Sequence, residues 1–213
     1  MKLAAVRGYG AQVILCEPTL AARESETARV IGETGAVLIH PYNDARIIAG
    51  QATAAKELLA DTPALDLILA PVGGGGLLSG TALAAHYLSP ATRVIGAEPS
   101  GADDAYRSLR SGRIQPSIAP NTIADGLLTS LGELTFAVIR RLVSAIVTVD
   151  DDAIVAAMRL VWERMKIIIE PSAAVPLAAV LARKLEVGGK RVGIIFSGGN
   201  VDLDRLPWLV AQG

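Results

Sequence analysis

Six short runs rich in aliphatic and β-branched residues punctuate the chain: QVILC (12–16), AVLIH (36–40), DLILA (66–70), RVIGAE (93–98), AIVTV (145–149) and RVGIIFS (191–197). Stretches with helical spacing lie between them, near 24–33, 45–60, 76–88, 102–111, 131–143, 150–166 and 172–185. This alternation leaves few solutions, because parallel strands need crossovers and the crossovers are helices. It predicts an α/β fold: an open, mostly parallel twisted sheet with helices on both faces. The strands are apolar at consecutive positions, as burial on both faces requires. At 213 residues, 51% hydrophobic and 19% charged, the chain has enough apolar mass for a substantial core and for one or two domains. The segment HPYNDARIIAGQ (40–51) carries the clearest punctuation in the first third, and a domain crossing is expected there.

Charge narrows the range of partners. Twenty Lys and Arg against 21 Asp and Glu give a net charge of −1, with the basic residues scattered along the chain. A nucleic-acid partner is therefore not expected. No apolar run approaches the length of a membrane span, and the start, MKLAAVRGYG, is too short in apolar residues for a secretory signal; the expected compartment is the cytoplasm. The single cysteine, Cys16, excludes an intrachain disulfide and any multi-cysteine metal site. Ending the run QVILC, it reads as a small buried hydrophobe, with a reactive thiol as the less favoured reading.

The segment DLILAPVGGGGLLSG (66–80) reads as strand, glycine loop, helix. Glycine loses more backbone freedom on folding than any other residue, so four in succession call for a reason. Bare backbone at a helix N-terminus can point several N–H groups at one anion. The functional reading is a phosphate cup built from Gly73, Gly74, Gly75, Gly76 and Leu77, and the alternative is a flexible turn. The run is neither G-x-x-x-x-G-K-[ST] nor G-x-G-x-x-G followed by an acid about twenty residues on, which excludes a Walker ATPase and weakens a dinucleotide site. A second glycine turn, FSGGNVDL (196–203), puts Ser197 at the carboxyl end of the last strand. Ligands of open parallel sheets bind beyond carboxyl ends, so the two turns suggest one ligand touched from two sides.

The motifs PVGGGGLLSG, GAEPSGADDAY, TIADGL, LVWERMK, IIEPSAA and FSGGNVDL, in that order, closely resemble the serine/threonine dehydratase and serine racemase family of pyridoxal-phosphate enzymes, fold type II. The resemblance runs from Met1 to about Leu206. It implies that Gly73 to Gly76 and Leu77 bind the cofactor phosphate and that Ser197 hydrogen-bonds the pyridine nitrogen. It implies a divalent-cation site, Mg²⁺ or Ca²⁺, formed by Glu98, the Ala102 carbonyl and Asp104, for which hard oxygen ligands are apt. The alternative for that stretch is a helix whose first-turn acids, Asp103 and Asp104, complement its dipole. Tyr9, Lys166 and Asn200 match positions that contact a nucleotide effector in the mammalian racemase, although packing, helix-end charge and turn formation account for them better. Glu170, before Pro171, either approaches the cofactor ring or caps the following helix. His40 and His86 read as structural.

In the resembled family a lysine in a motif like S-x-K-x-R-G holds the cofactor covalently and removes the α-proton. The five lysines, Lys2, Lys56, Lys166, Lys184 and Lys190, all lie outside such a context, so no residue of this sequence is assigned a catalytic role. The expectation is a truncated form: residues 1–43 as a remnant of the small domain and 44–213 as most of the large, cofactor-binding domain. Function in the complete enzyme is expected to be dehydration of L-threonine or L-serine to a 2-keto acid and ammonia. Racemisation and a non-catalytic binding relic are the alternatives, and either a homodimer or a separate N-terminal half is the expected partner. Unpaired elements should also expose apolar surface.

Overall fold

The computed structural model describes residues 2–17 and 19–210 and divides into two compact units, Met1–His40 and Pro41–Gly213.

In the first unit, helix α1 (Lys2–Gly8) is followed by α2 (Leu20–Thr34). The Thr19 hydroxyl accepts from the Ala22 N–H at 3.1 Å and opens α2, while Gly35, at φ 68°, closes it in the left-handed conformation. The two β-prone runs do not become strands: 12–16 and 36–40 are extended without a ladder. They line a groove of about 380 Å³ against α2, bounded by Ile14, Val30, Ile31 and Val37 among others. Cys16 is exposed, not buried as its apolar run suggested, because that run has no sheet to enter.

The second unit holds a sheet of four parallel strands, β1 (Leu67–Pro71), β2 (Arg93–Pro99), β3 (Val143–Val149) and β4 (Val192–Ile194), in the order β3-β2-β1-β4. Successive side chains along β1 alternate between faces. Ile68 and Ala70 enter a core shared with α3 (Ala45–Asp61), α4 (Gly76–Leu88), α5 (Asp104–Ser111) and α6 (Glu133–Leu142). Leu67 and Leu69 face the other way, with Ile95 and Val180. On that second face α7 (Asp151–Met165) and α8 (Pro171–Leu181) cover the sheet through Ile154, Met158, Val161 and Ala174. The helices follow the expected spans, with α8 ending early where Arg183 adopts φ 53°. The last strand is likewise shorter than its run: pairing with β1 stops at Ile194, and only the Ile195 N–H, donated to the Leu69 carbonyl at 3.0 Å, prolongs it. A short helix, α9 (Pro207–Val210), follows. No helix among the described residues is long and apolar enough to cross a membrane.

The strand order fixes where a ligand belongs. From β1 the chain moves outward to β2 and β3, then returns to place β4 on the opposite side of β1. The reversal falls between β1 and β4, and the crevice outside the carboxyl ends at such a reversal is the binding position of open parallel sheets.

Candidate functional site

The glycine loop occupies that crevice. β1 ends at Pro71, Val72 donates its N–H to the Ala97 carbonyl at 3.0 Å, and the next N–H in the chain taken up by the backbone is that of Ser79, bonded to Gly75 O at 2.9 Å. Between them, the N–H groups of Gly73 to Leu78 donate no hydrogen bond among the described residues. Gly73 to Gly76 are nevertheless buried. Buried backbone donors without partners are costly, and unpaired N–H groups at a helix N-terminus are of the kind that can face an anion.

Three of the four glycines are also confined sterically. Gly75, the residue before α4, sits at φ 88°, where a side chain is strained. A Cβ on Gly74 would overlap the ring of Tyr42; one on Gly73 would stand 2.9 Å from Leu127 Cα, and one on Gly75 2.8 Å from a methyl of Leu131.

The wall includes residues that the sequence did not identify as site residues. Tyr42 lies in the HPYND segment, which was legible only as punctuation. Gly126 and Leu127 belong to TIADGL, whose place in the fold no periodicity discloses. Long-range hydrogen bonds hold that loop: Thr122 Oγ1 donates to Asp151 Oδ1, Ile123 N–H to Asp151 Oδ2 at 3.0 Å, and Gly126 N–H to the Ser172 hydroxyl at 3.0 Å.

Ser197 lies three residues past β4 and is exposed. Continuing the β1–β4 register sets it level with Val72, at the same end of the sheet as the glycine loop. Glu170, the residue before α8, lies beside this turn: its N–H donates to Gly198 O at 3.0 Å, and a Cβ on Gly198 would meet Glu170 Oε1 at 2.8 Å. Its side chain makes no capping hydrogen bond to α8.

Glu98 and Asp104 come together in the interior, both fully buried. The Glu98 carboxylate accepts from the N–H groups of Ala105 and Tyr106, each at 2.9 Å, at the start of α5. Burial still pushes its pKa up to about 8, with the charges of Asp104 and Asp103 adding to the rise. Asp104 is raised to about 6, again chiefly by burial. Neither oxygen of Asp104 has a hydrogen-bond partner in the geometry of the site. Ala102, buried in the short 3₁₀ turn Ser100–Ala102, lies between the two acids in sequence. Asp103 is paired with Arg107 at 2.7 Å. No group of three or more His, Cys, Asp or Glu side chains is placed to hold a metal among the described residues, so any cation here would rely on the two carboxylates supplemented by a backbone carbonyl or water.

The other sequence candidates are scattered. Lys166 ends α7 in the left-handed conformation, with its ammonium donating to Glu163 O at 2.7 Å; Asn200 is an exposed turn residue. Tyr9 is 87% exposed in the first unit. His86 is exposed and stacks edge-on with Tyr87.

The chain is similar to known proteins along nearly its whole length. It is 53% identical over 203 residues to β-hydroxyaspartate dehydratase of Paracoccus denitrificans, covering 95% of this chain and 64% of that protein. The crystal structure of serine racemase from Dictyostelium discoideum superposes with a TM-score of 0.88 at 54% identity, covering 95% of this chain and 66% of that one. The structure of maize serine racemase does so with a TM-score of 0.93 at 46% identity, covering 99% and 66%. A solved threonine deaminase superposes with a TM-score of 0.88 at 46% identity, covering 95% and 67%. The chain thus spans less than two thirds of the length of the dehydratase and about two thirds of the other three. The family described as pyridoxal-phosphate dependent enzyme matches residues 1–198. Fold, glycine loop and similarity agree, and the chain belongs to the pyridoxal-phosphate dependent enzyme family.

Proposed function

We propose that these 213 residues form the phosphate- and ring-binding portion of an ammonia-lyase, which as a complete enzyme converts a β-hydroxy amino acid such as L-threonine or L-serine to a 2-keto acid and ammonia. The observation that carries the reading is the row of unbonded N–H groups from Gly73 to Leu77, the four glycines among them buried, at the start of α4 and level with Ser197. Such donors suit a phosphate dianion, and the absence of Cβ atoms lets the backbone approach it. Bound pyridoxal phosphate supplies an electron sink for charge that develops at the amino-acid α-carbon. Gly73 to Leu77 would hold the phosphate and Ser197 would meet the ring nitrogen. A hydroxyl at that position does not hold the nitrogen protonated as a carboxylate would, which favours prompt loss of the β-hydroxyl over long-lived charge on the ring.

Residues 1–43 are read as part of the small domain and 44–213 as most of the large one. Glu98, Asp104 and the Ala102 carbonyl are assigned to Mg²⁺ or Ca²⁺, since a hard cation would satisfy the two unpartnered oxygens of Asp104. Racemisation of serine is the second reading, supported by the 54% identity to the Dictyostelium racemase. It requires a proton donor on the opposite face of the substrate.

None of the five lysines stands in a context that would hold the cofactor covalently, so binding and turnover separate in this chain. By equilibrium dialysis, pyridoxal phosphate is expected to bind at least about tenfold more tightly than pyridoxal, the value of one charge-assisted hydrogen bond. Borohydride should leave no specific adduct, and keto acid from L-threonine or L-serine should stay at background. Equal affinity for the two ligands overturns the phosphate cup; keto acid at ordinary enzyme rates overturns the claim that proton removal needs a lysine outside these residues.

A further inference from the structure

We infer that Thr135 is a positioning residue that sets the direction of the anion-binding peptide between Gly74 and Gly75; this rests on the reading of the loop as a phosphate cup. Thr135, on the first turn of α6, is fully buried. Its hydroxyl oxygen accepts from the Gly132 N–H at 3.0 Å and has two acceptors in reach, Gly74 O at 2.8 Å and Gly132 O at 3.0 Å, of which Gly74 O is the nearer. In return, the buried Ser79 hydroxyl on α4 donates to the Thr135 carbonyl at 3.2 Å. Side chain and main chain of one residue thus tie the loop and the first turn of α4 to α6.

The position of α6 is itself fixed. Asn43 Oδ1 accepts from the Leu134 N–H at 2.9 Å, and Gly132 leaves no room for a Cβ beneath the Asn43 side chain.

The consequence follows from peptide geometry. The Gly74 carbonyl and the Gly75 N–H belong to one planar trans unit and point in opposite directions. Holding the carbonyl against α6 therefore aims the N–H away from α6. A peptide flanked by two glycines has little preference of its own, since both residues tolerate either sign of φ, and rotates unless something outside the loop restrains it. The four glycines that let the backbone approach an anion also make it unable to hold its own donors in place. Thr135 supplies the missing restraint without touching the ligand.

The test uses the 213-residue chain and two variants. Thr135→Val keeps the shape and removes the hydroxyl; Thr135→Ser keeps the hydroxyl and removes the methyl. The readout is the ratio of the dissociation constants for pyridoxal and pyridoxal phosphate, alongside the melting temperature. Thr135→Val is expected to lower the ratio about tenfold, the loss of one well-aimed donor to a charged acceptor. Thr135→Ser should keep the ratio within about twofold while melting earlier, since a buried methyl is lost. A merely structural residue would lower both melting temperatures and leave the ratio alone. A folded Thr135→Val with an unchanged ratio overturns the inference, as does a Thr135→Ser that loses the preference. Where Thr135→Val fails to fold, the serine variant decides together with the Gly75 amide resonance of the unmodified chain, which must shift on titration with inorganic phosphate. An unmodified chain that shows no preference for the phosphorylated ligand overturns the cup itself, an outcome distinct from failure of Thr135 alone.

Discussion

The two units use the same kinds of apolar run, with different results. In Pro41–Gly213 all five residues of β1 are buried, and each strand exchanges hydrogen bonds with a neighbour. In Met1–His40 no described residue is buried, and the runs 12–16 and 36–40 stay without a ladder, with Leu15, Val37 and Ile39 between 67% and 79% exposed. Yet α2 forms in the poorer unit with both caps in place. A helix satisfies its backbone within one segment, whereas a strand depends on what lies beside it. The same local pattern therefore commits a chain to a helix but only offers it a strand.

Hydrogen exchange is the strongest test of this contrast. The amides of 12–16 and 37–39 should exchange within about tenfold of an unstructured peptide. Those of Leu67–Ala70 and Val94–Ala97 should be at least ~10³-fold slower, because exposing them requires opening the central sheet. Protection of 37–39 comparable to β1 would break the comparison.

Two glycines sharpen it next. Gly80 on α4 lies against α3, where a Cβ would stand 2.6 Å from the Ala52 N and 2.7 Å from Ile48 O; Gly32 on α2 has nothing within 4 Å. Backbone atoms cannot swing aside, so Gly80→Ala should cost about 2–3 kcal/mol as the helices separate. Gly32→Ala should add up to about 1 kcal/mol through helix propensity. Urea unfolding followed by tryptophan fluorescence, with Trp162 and Trp208 in edge-on contact in the second unit, measures the first; far-UV circular dichroism measures the second. A neutral Gly80→Ala would mean that α3 and α4 pack more loosely than the geometry requires.

What the sequence disclosed divides along the same line. The order of helices and the four strands of the sheet followed from periodicity, because each signal lies within one segment. The glycine loop was legible as a feature that calls for a reason, because each of its residues costs backbone freedom on folding. Tyr42, Leu127 and Thr135 were not, since each reaches the loop from more than thirty positions away in sequence. The burial of Cys16 was misjudged for the complementary reason: an apolar run reports what it could bury, not whether a partner is present.

The last effect expected concerns the buried acids, which have no counterpart in the first unit, where no described residue is buried. Glu98 and Asp104 are raised to about 8 and about 6, chiefly by burial, so the folded chain retains protons that the unfolded chain has released. Their contribution to stability is complete below about pH 4. It falls as the pH rises, through about 6 for Asp104 and about 8 for Glu98. In EDTA the melting temperature should therefore decline between pH 5 and 8.5. Glu98→Gln should flatten the upper part of that decline. Mg²⁺ or Ca²⁺ should raise the melting temperature more at pH 8 than at pH 5.5, since a cation is held by carboxylates and not by carboxylic acids. An unchanged slope in Glu98→Gln would mean that water reaches the carboxylate and that the fully buried pocket around α5 opens in solution.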